Sequence, residues 1–282
     1  MTIMKLKLFA IFLIFFFSCN NEERNTSYNE EWYKKKIIEL DIHLVRIYEY
    51  EFRFGKPDEK TRFLVELSEY DKNGNIIRTE NYHRTEILRD YDIITTLSYD
   101  KNGFLIEKLE TNTKGELKSL IKYKNENGLN TERVFYNPEG EITGKTFYKY
   151  DNSNNCIELV SYDEKGEIDY KKIMKYNKNN EEIESKTFNK EGAIKSSTKL
   201  IQLNDGWKKY QFFDEKNELK YEYSYILNEN NIITESVWKD IETGREDKTI
   251  NEIDENGLII KITEYENHGE PKRLKEVERS KY

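Results

Sequence analysis

One short turn phrase recurs along this chain and limits what it can fold into. It stands three times in succession as Tyr136-Asn137-Pro138-Glu139-Gly140-Glu141-Ile142, Tyr150-Asp151-Asn152-Ser153-Asn154-Asn155-Cys156-Ile157 and Tyr162-Asp163-Glu164-Lys165-Gly166-Glu167-Ile168. In Asn137-Pro138-Glu139-Gly140 the Asn bonds back to its own backbone, Pro presets φ, and Gly supplies φ > 0. That combination marks a type I turn closed by a bulge, a common hairpin connection. The same letters return as Asp71-Lys72-Asn73-Gly74, Asp100-Lys101-Asn102-Gly103 and Asp254-Glu255-Asn256-Gly257. Asn217 and Asn231 replace the Gly elsewhere, and Asn is the side chain that best tolerates the left-handed region.

Successive turns fall 11 to 14 residues apart, so the repeating unit is a hairpin of about 26 residues. Units of that size cannot bury a face alone and stack into arrays. Between turns the apolar residues alternate, as in Ile168, Tyr170, Met174 and Tyr176, or Ile142, Thr146, Tyr148 and Tyr150. Period two is strand. Counting parity straight through the turns places each Tyr and the following Ile or Leu on one face, with charged residues opposite. Apolar residues of the other parity, Phe147, Ile157, Leu159 and Ile173, predict that the second face is partly covered, as a rolled or spiral sheet would arrange.

The amino terminus stands apart from this pattern. Lys5 and Lys7 precede an apolar run, Leu8 to Phe17, too short to span a bilayer, which ends in Ser18-Cys19. The segment resembles a bacterial lipoprotein signal, which implies cleavage after residue 18 and lipid on Cys19. Residues 19–29 read as a flexible tether, and the acidic pair Glu22-Glu23 resembles the export tag of surface lipoproteins in the Bacteroidetes. Localisation at the outer membrane, lipid-anchored and facing the cell surface, follows as an expectation. Losing Lys5 and Lys7 with the leader takes the formal net charge from −8 to about −10. An acidic chain in that compartment is a poor match to nucleic acid.

Organisation follows from the repeats. Residues 30–92 predict degenerate hairpins that cap the array, residues 93–271 the array itself, and residues 272–282 a charged tail. The phrase Tyr-Asp-x-x-Gly-x-Ile resembles the YD repeats of the RHS family, and the hairpin period is similar to MORN-2-type repeats. Both resemblances imply an all-β fold, an elongated, curved or spiral antiparallel sheet of hairpins. Neither implies a function.

Chemistry is sparse. His43, His83 and His268 lie far apart, and no three or four ligands stand at metal spacing. Neither a phosphate loop nor a nucleophile elbow occurs. Cys156, beside Ile157 at a strand start, reads as a small packed residue. No cofactor and no catalysis are expected. The aromatic rows Tyr148, Tyr150, Tyr162, Tyr170 and Tyr176 are the candidate ligand-binding residues, suited to stacking on sugars or an extended peptide. The leading expectation is a lipid-anchored envelope protein that binds or scaffolds an unknown protein or polysaccharide partner through its repeat sheet. The alternatives are an immunity protein that neutralises a toxin, and a polysaccharide-binding lipoprotein or glycosidase.

Overall fold

The structure is a computed structural model and describes residues 30–84, 92–203, 206–267 and 269–282. Among the described residues, α1 (Glu30–Glu39) precedes β1 (Ile42–Arg53), the two-residue β2 (Lys56–Pro57), β3 (Phe63–Tyr70) and β4 (Ile76–Asn81). The wall continues through β5 (Ile93–Tyr99), β6 (Leu105–Asn112), β7 (Leu117–Glu126), β8 (Leu129–Tyr136) and β9 (Ile142–Tyr150). Next come β10 (Cys156–Asp163), β11 (Ile168–Tyr176), β12 (Glu182–Asn189), β13 (Ile194–Gln202) and β14 (Trp207–Phe213). The last five are β15 (Leu219–Leu227), β16 (Ile233–Asp240), β17 (Glu246–Ile253), β18 (Ile259–Glu266) and β19 (Pro271–Lys281).

The turns form as their letters dictate. At Asp151 the backbone N–H bonds Asn155 O, Asn154 N–H returns to Asp151 O, and the Asp151 carboxylate accepts from Ser153 and Asn155 N–H. Asn154 sits at φ 64 and Asn217 at φ 61, in the same left-handed region as Gly140 at φ 83. Each such turn carries a bulge, seen as a register shift between Ser161 and Tyr162 or between Phe135 and Tyr136.

From β3 to β19 each strand pairs antiparallel with the next, and β1 pairs with both β3 and β19. The seam runs from Ile42 opposite Lys281 to Glu51 opposite Arg273. Eighteen strands, all but β2, therefore close into a barrel. This corrects the expectation of an elongated, curved or spiral sheet, and with it the likeness to RHS/YD or MORN-2 arrays. An open array leaves two free edges, whereas here the first and last strands satisfy each other.

Carried once round the wall, the registers advance the chain by about 18 residues, equal to the strand number. The strand tilt then follows from a rise of about 3.3 Å against a spacing of about 4.8 Å, giving roughly 35° and a backbone radius of about 17 Å. Barrels of this strand number enclose a channel rather than a packed core.

The concave face is the one on which Tyr148, Leu159 and Lys172 stand opposite one another across strands, with Met174 opposite Ser185. Side chains converge there, so Leu159 and Met174 are 3% and 2% exposed, whereas the Lys149 and Lys175 side chains on the other face are 72% and 62% exposed. Near the termini, α1 packs Ile37 with Ile42, Val45, Tyr70 and Leu258. It sits against two hairpin turns, where a Cβ on Gly257 would stand 2.9 Å from the Trp32 ring and one on Gly74 would stand 2.9 Å from Lys34. Both chain ends of the barrel lie at this mouth, since Tyr282 N–H bonds Asp41 O.

Candidate functional site: the two faces of the wall

The bulge explains where parity counted from the sequence fails. Each bulge inserts one residue and flips the faces beyond it. Ile142 therefore pairs with Tyr136 on the convex face, while Thr146, Tyr148 and Tyr150 of the same strand point into the barrel. Of the five candidate tyrosines, Tyr148, Tyr150, Tyr170 and Tyr176 gather around Cys156, Leu159 and Met174 on the concave face. Tyr162 is parted from them. It lies outside, edge-on to Phe147 with ring centroids 5.7 Å apart. Leu159, grouped by parity with Phe147 and Ile157, is instead concave and buried.

Sequence reasoning did not place the tryptophans. Trp238 belongs to a concave aromatic patch with Phe212 at 5.3 Å, Tyr221 at 5.3 Å and Tyr223 at 6.2 Å, continued by Tyr225 and Tyr210. Trp207 is opposite Ile226 on the other face. The signal was present, because Tyr221, Tyr223 and Tyr225 alternate on β15, but the register joining them to Trp238 was not. Arg133, 3% exposed, lies between the rings of Tyr123 and Tyr148 at 5.2 and 5.1 Å.

The convex face is built differently. Lys175, Glu184, Lys199, Gln211, Glu222, Lys239 and Glu246 stand directly opposite one another from β11 to β17. Lys175 approaches Glu184 at 2.8 Å, and Gln211 donates to Glu222 at 2.8 Å. Neighbouring rows add Lys209 to Glu222 at 2.9 Å, Lys171 to Glu158 at 2.6 Å and Lys248 to Glu235 at 2.6 Å. The hydrogen bonds from Lys149 and Lys171 hold the Glu158 carboxyl below its ordinary range. Among the described residues, exposed apolar side chains such as Ile142, Ile168 and Ile194 lie beside their turns, whereas Phe147, 41% exposed, stands mid-strand on this face.

One concave acid departs from the rest. Glu182 is 6% exposed, and both its carboxylate oxygens are buried without a hydrogen-bond partner. Burial raises its pKa, more than Lys172 and Ser185 lower it. Among the described residues, no group of three or more His, Cys, Asp or Glu side chains converges to hold a metal. Cys19, His268 and the 19–29 tether lie outside the described residues.

No family model and no curated protein matches the chain. Among solved structures it is similar to a porin-like protein from Bacteroides uniformis, at 10% identity and TM-score 0.46, over 85% of this chain and 96% of that one. A porin-like protein from Bacteroides vulgatus shows 8% identity and TM-score 0.35, over 85% and 99%. A TcdB2-TccC3-Cdc42 structure matches at 9% identity and TM-score 0.24, over 82% of this chain but 16% of that one. The barrel therefore rests on its own strand pairing.

That pairing also overturns the scaffold expectation. Strand addition by a partner needs a free sheet edge, and the β1 to β19 seam leaves none at the ends of the array. The immunity alternative drew on open repeat arrays of this kind, and the polysaccharide or glycosidase alternative on a single row of tyrosines that the wall divides, with Tyr162 outside and the other four within; neither stands for this closed barrel.

Proposed function

We propose that this is a non-catalytic envelope barrel that admits small solutes into its lumen, held at the outer membrane by lipid on Cys19. Its wall stands in water. The observation that carries this reading is the charged cross-strand row of lysine and glutamate, with Gln211 among them, around the convex face between β11 and β17. A lipid-facing wall needs an apolar band, and a lysine at the bilayer midplane costs about 2–4 kcal/mol. Eight convex lysines, Lys145, Lys171, Lys175, Lys186, Lys199, Lys209, Lys239 and Lys248, would together oppose insertion by on the order of 20 kcal/mol. In water the same residues pair across strands at little cost. The lipid supplies the attachment that the wall cannot, and the termini at one mouth turn that mouth toward the membrane.

Two measurements test the reading together. Cys19→Ala should move the protein from the membrane to the soluble fraction, and the purified mature protein should add no conductance to a planar bilayer. Membrane retention of the variant, or stepwise conductance, would sink it.

A further inference from the structure

Glu182 occupies a position that most of the repeats at its mouth give to apolar residues. At the helix-bearing mouth six bulged turns set the residue two beyond the left-handed position opposite the residue four before it, whereas the Gly128 turn pairs Asn125 with Asn130. The pairs are Tyr70 with Ile76, Tyr99 with Leu105, Tyr150 with Cys156, Leu227 with Ile233 and Ile253 with Ile259. Only in the pair Tyr176 with Glu182 does a charged group take that place. A carboxylate there works against the wall's stability, because an ionised group buried without hydrogen bonds is costly.

The surroundings define what would compensate. Tyr176 stands across the strand pair, and the Tyr210 hydroxyl donates to the Glu182 carbonyl oxygen at 3.3 Å. The Tyr210 ring stacks on Tyr225 with centroids 6.2 Å apart. Ser185 turns its hydroxyl to Thr198 at 2.6 Å. Lys172 Nζ stands 3.8 Å from Glu182 Oε1, an ion-pair separation at which no hydrogen bond forms. One carboxylate, one ammonium and tyrosine rings thus meet on the lumenal wall, and the two charges do not satisfy each other. A metal ion would need more oxygen ligands than this cluster offers. Aromatic faces beside a carboxylate suit an alkylated ammonium group, and Lys172 suits an anion.

We propose that Glu182, Lys172, Tyr176 and Tyr210 form a lumenal site for a small zwitterion carrying an alkylammonium group and an anionic group a few bonds apart. The ammonium seats against Glu182 and the tyrosine rings, and the anion against Lys172. A neutral ligand of this kind completes both charges without adding net charge to the wall. The site deepens the reading of a solute-admitting lumen and rests on it.

The probe is glycine betaine, titrated calorimetrically into the mature lipoprotein in a maltoside detergent. Saturable binding is expected, at least tenfold tighter than choline, which lacks the anion, or acetate, which lacks the ammonium. Glu182→Leu, the kind of residue the sibling hairpins carry, and Glu182→Gln should each weaken betaine binding at least tenfold while the β signal is retained. No saturable binding by the wild type, or equal binding by either variant, overturns the proposal. Lumen access is read separately from acrylamide quenching of Trp238, in a chain with Trp32→Phe and Trp207→Phe. Quenching without betaine binding discards the site and keeps the open lumen, whereas a shielded Trp238 discards both.

Discussion

Replacing Glu182 by Leu should stabilise the barrel at neutral pH. The carboxylate is 6% exposed, accepts no hydrogen bond, and has Lys172 at 3.8 Å as its cationic neighbour. Both carboxylate oxygens are buried without a hydrogen bond, and removing a buried polar group left in that state should gain about 1–3 kcal/mol. Lys172, with 14% of its side chain exposed, can extend toward the lumen once its neighbour is gone. For a chain of this size each ~1 kcal/mol moves Tm by about 2–4 °C. The pH dependence has a definite sign. Burial raises the Glu182 pKa above its ordinary 4.5, so its contribution is fully favourable below that value and is lost as pH rises through the folded-state pKa. Glu66, likewise raised by burial, is present in both proteins and cancels in the comparison. Thermal melts of wild type and Glu182→Leu should therefore differ little at pH 4 and diverge toward pH 7, with the variant higher. A variant less stable at pH 7, or a difference that does not change with pH, would refute the reasoning.

Two further substitutions probe the wall. Gly144→Ala would bring a Cβ to 2.8 Å from the Tyr162 carbonyl oxygen, a backbone atom with little freedom to retreat, and should cost about 1–3 kcal/mol in denaturant melts. Asp254→Ala removes the acceptor for Asn256 N–H at 2.9 Å and Leu258 N–H at 2.8 Å in the turn beneath Trp32. It should lower stability by about 1–2 kcal/mol, with the loss seen first as faster amide exchange at Leu258.

Much of the local structure was legible in the letters, because the turn chemistry of Asp or Asn followed by Gly or Asn acts within five residues. Asp151, Asn154 and Asn217 behave as their side chains require. The division into charged and aromatic faces was legible too, although not which residue lay on which. Tyr162 was grouped with Tyr148 because parity was carried through a turn whose bulge reverses it. Closure was beyond reach for a related reason. Whether β19 returns to β1 depends on the tilt accumulated over all the registers, and no short segment records that sum. Glu182 stands where five other bulged turns at its mouth carry Ile, Leu or Cys, but only its burial and missing hydrogen bonds give that exception a meaning.

Closure of the ring is the claim on which the rest depends, and a single cross-link tests it. Arg46 and Glu278 are direct partners across the seam between β1 and β19. With both changed to Cys in a chain carrying Cys156→Ala, a closed barrel holds the two thiols side by side, and mild oxidation should join them within one molecule in high yield. In an open sheet of the same strands they would stand roughly 80 Å apart, at about 4.8 Å per strand. Failure to form the intramolecular bond, with cross-linking only between molecules, would contradict the barrel.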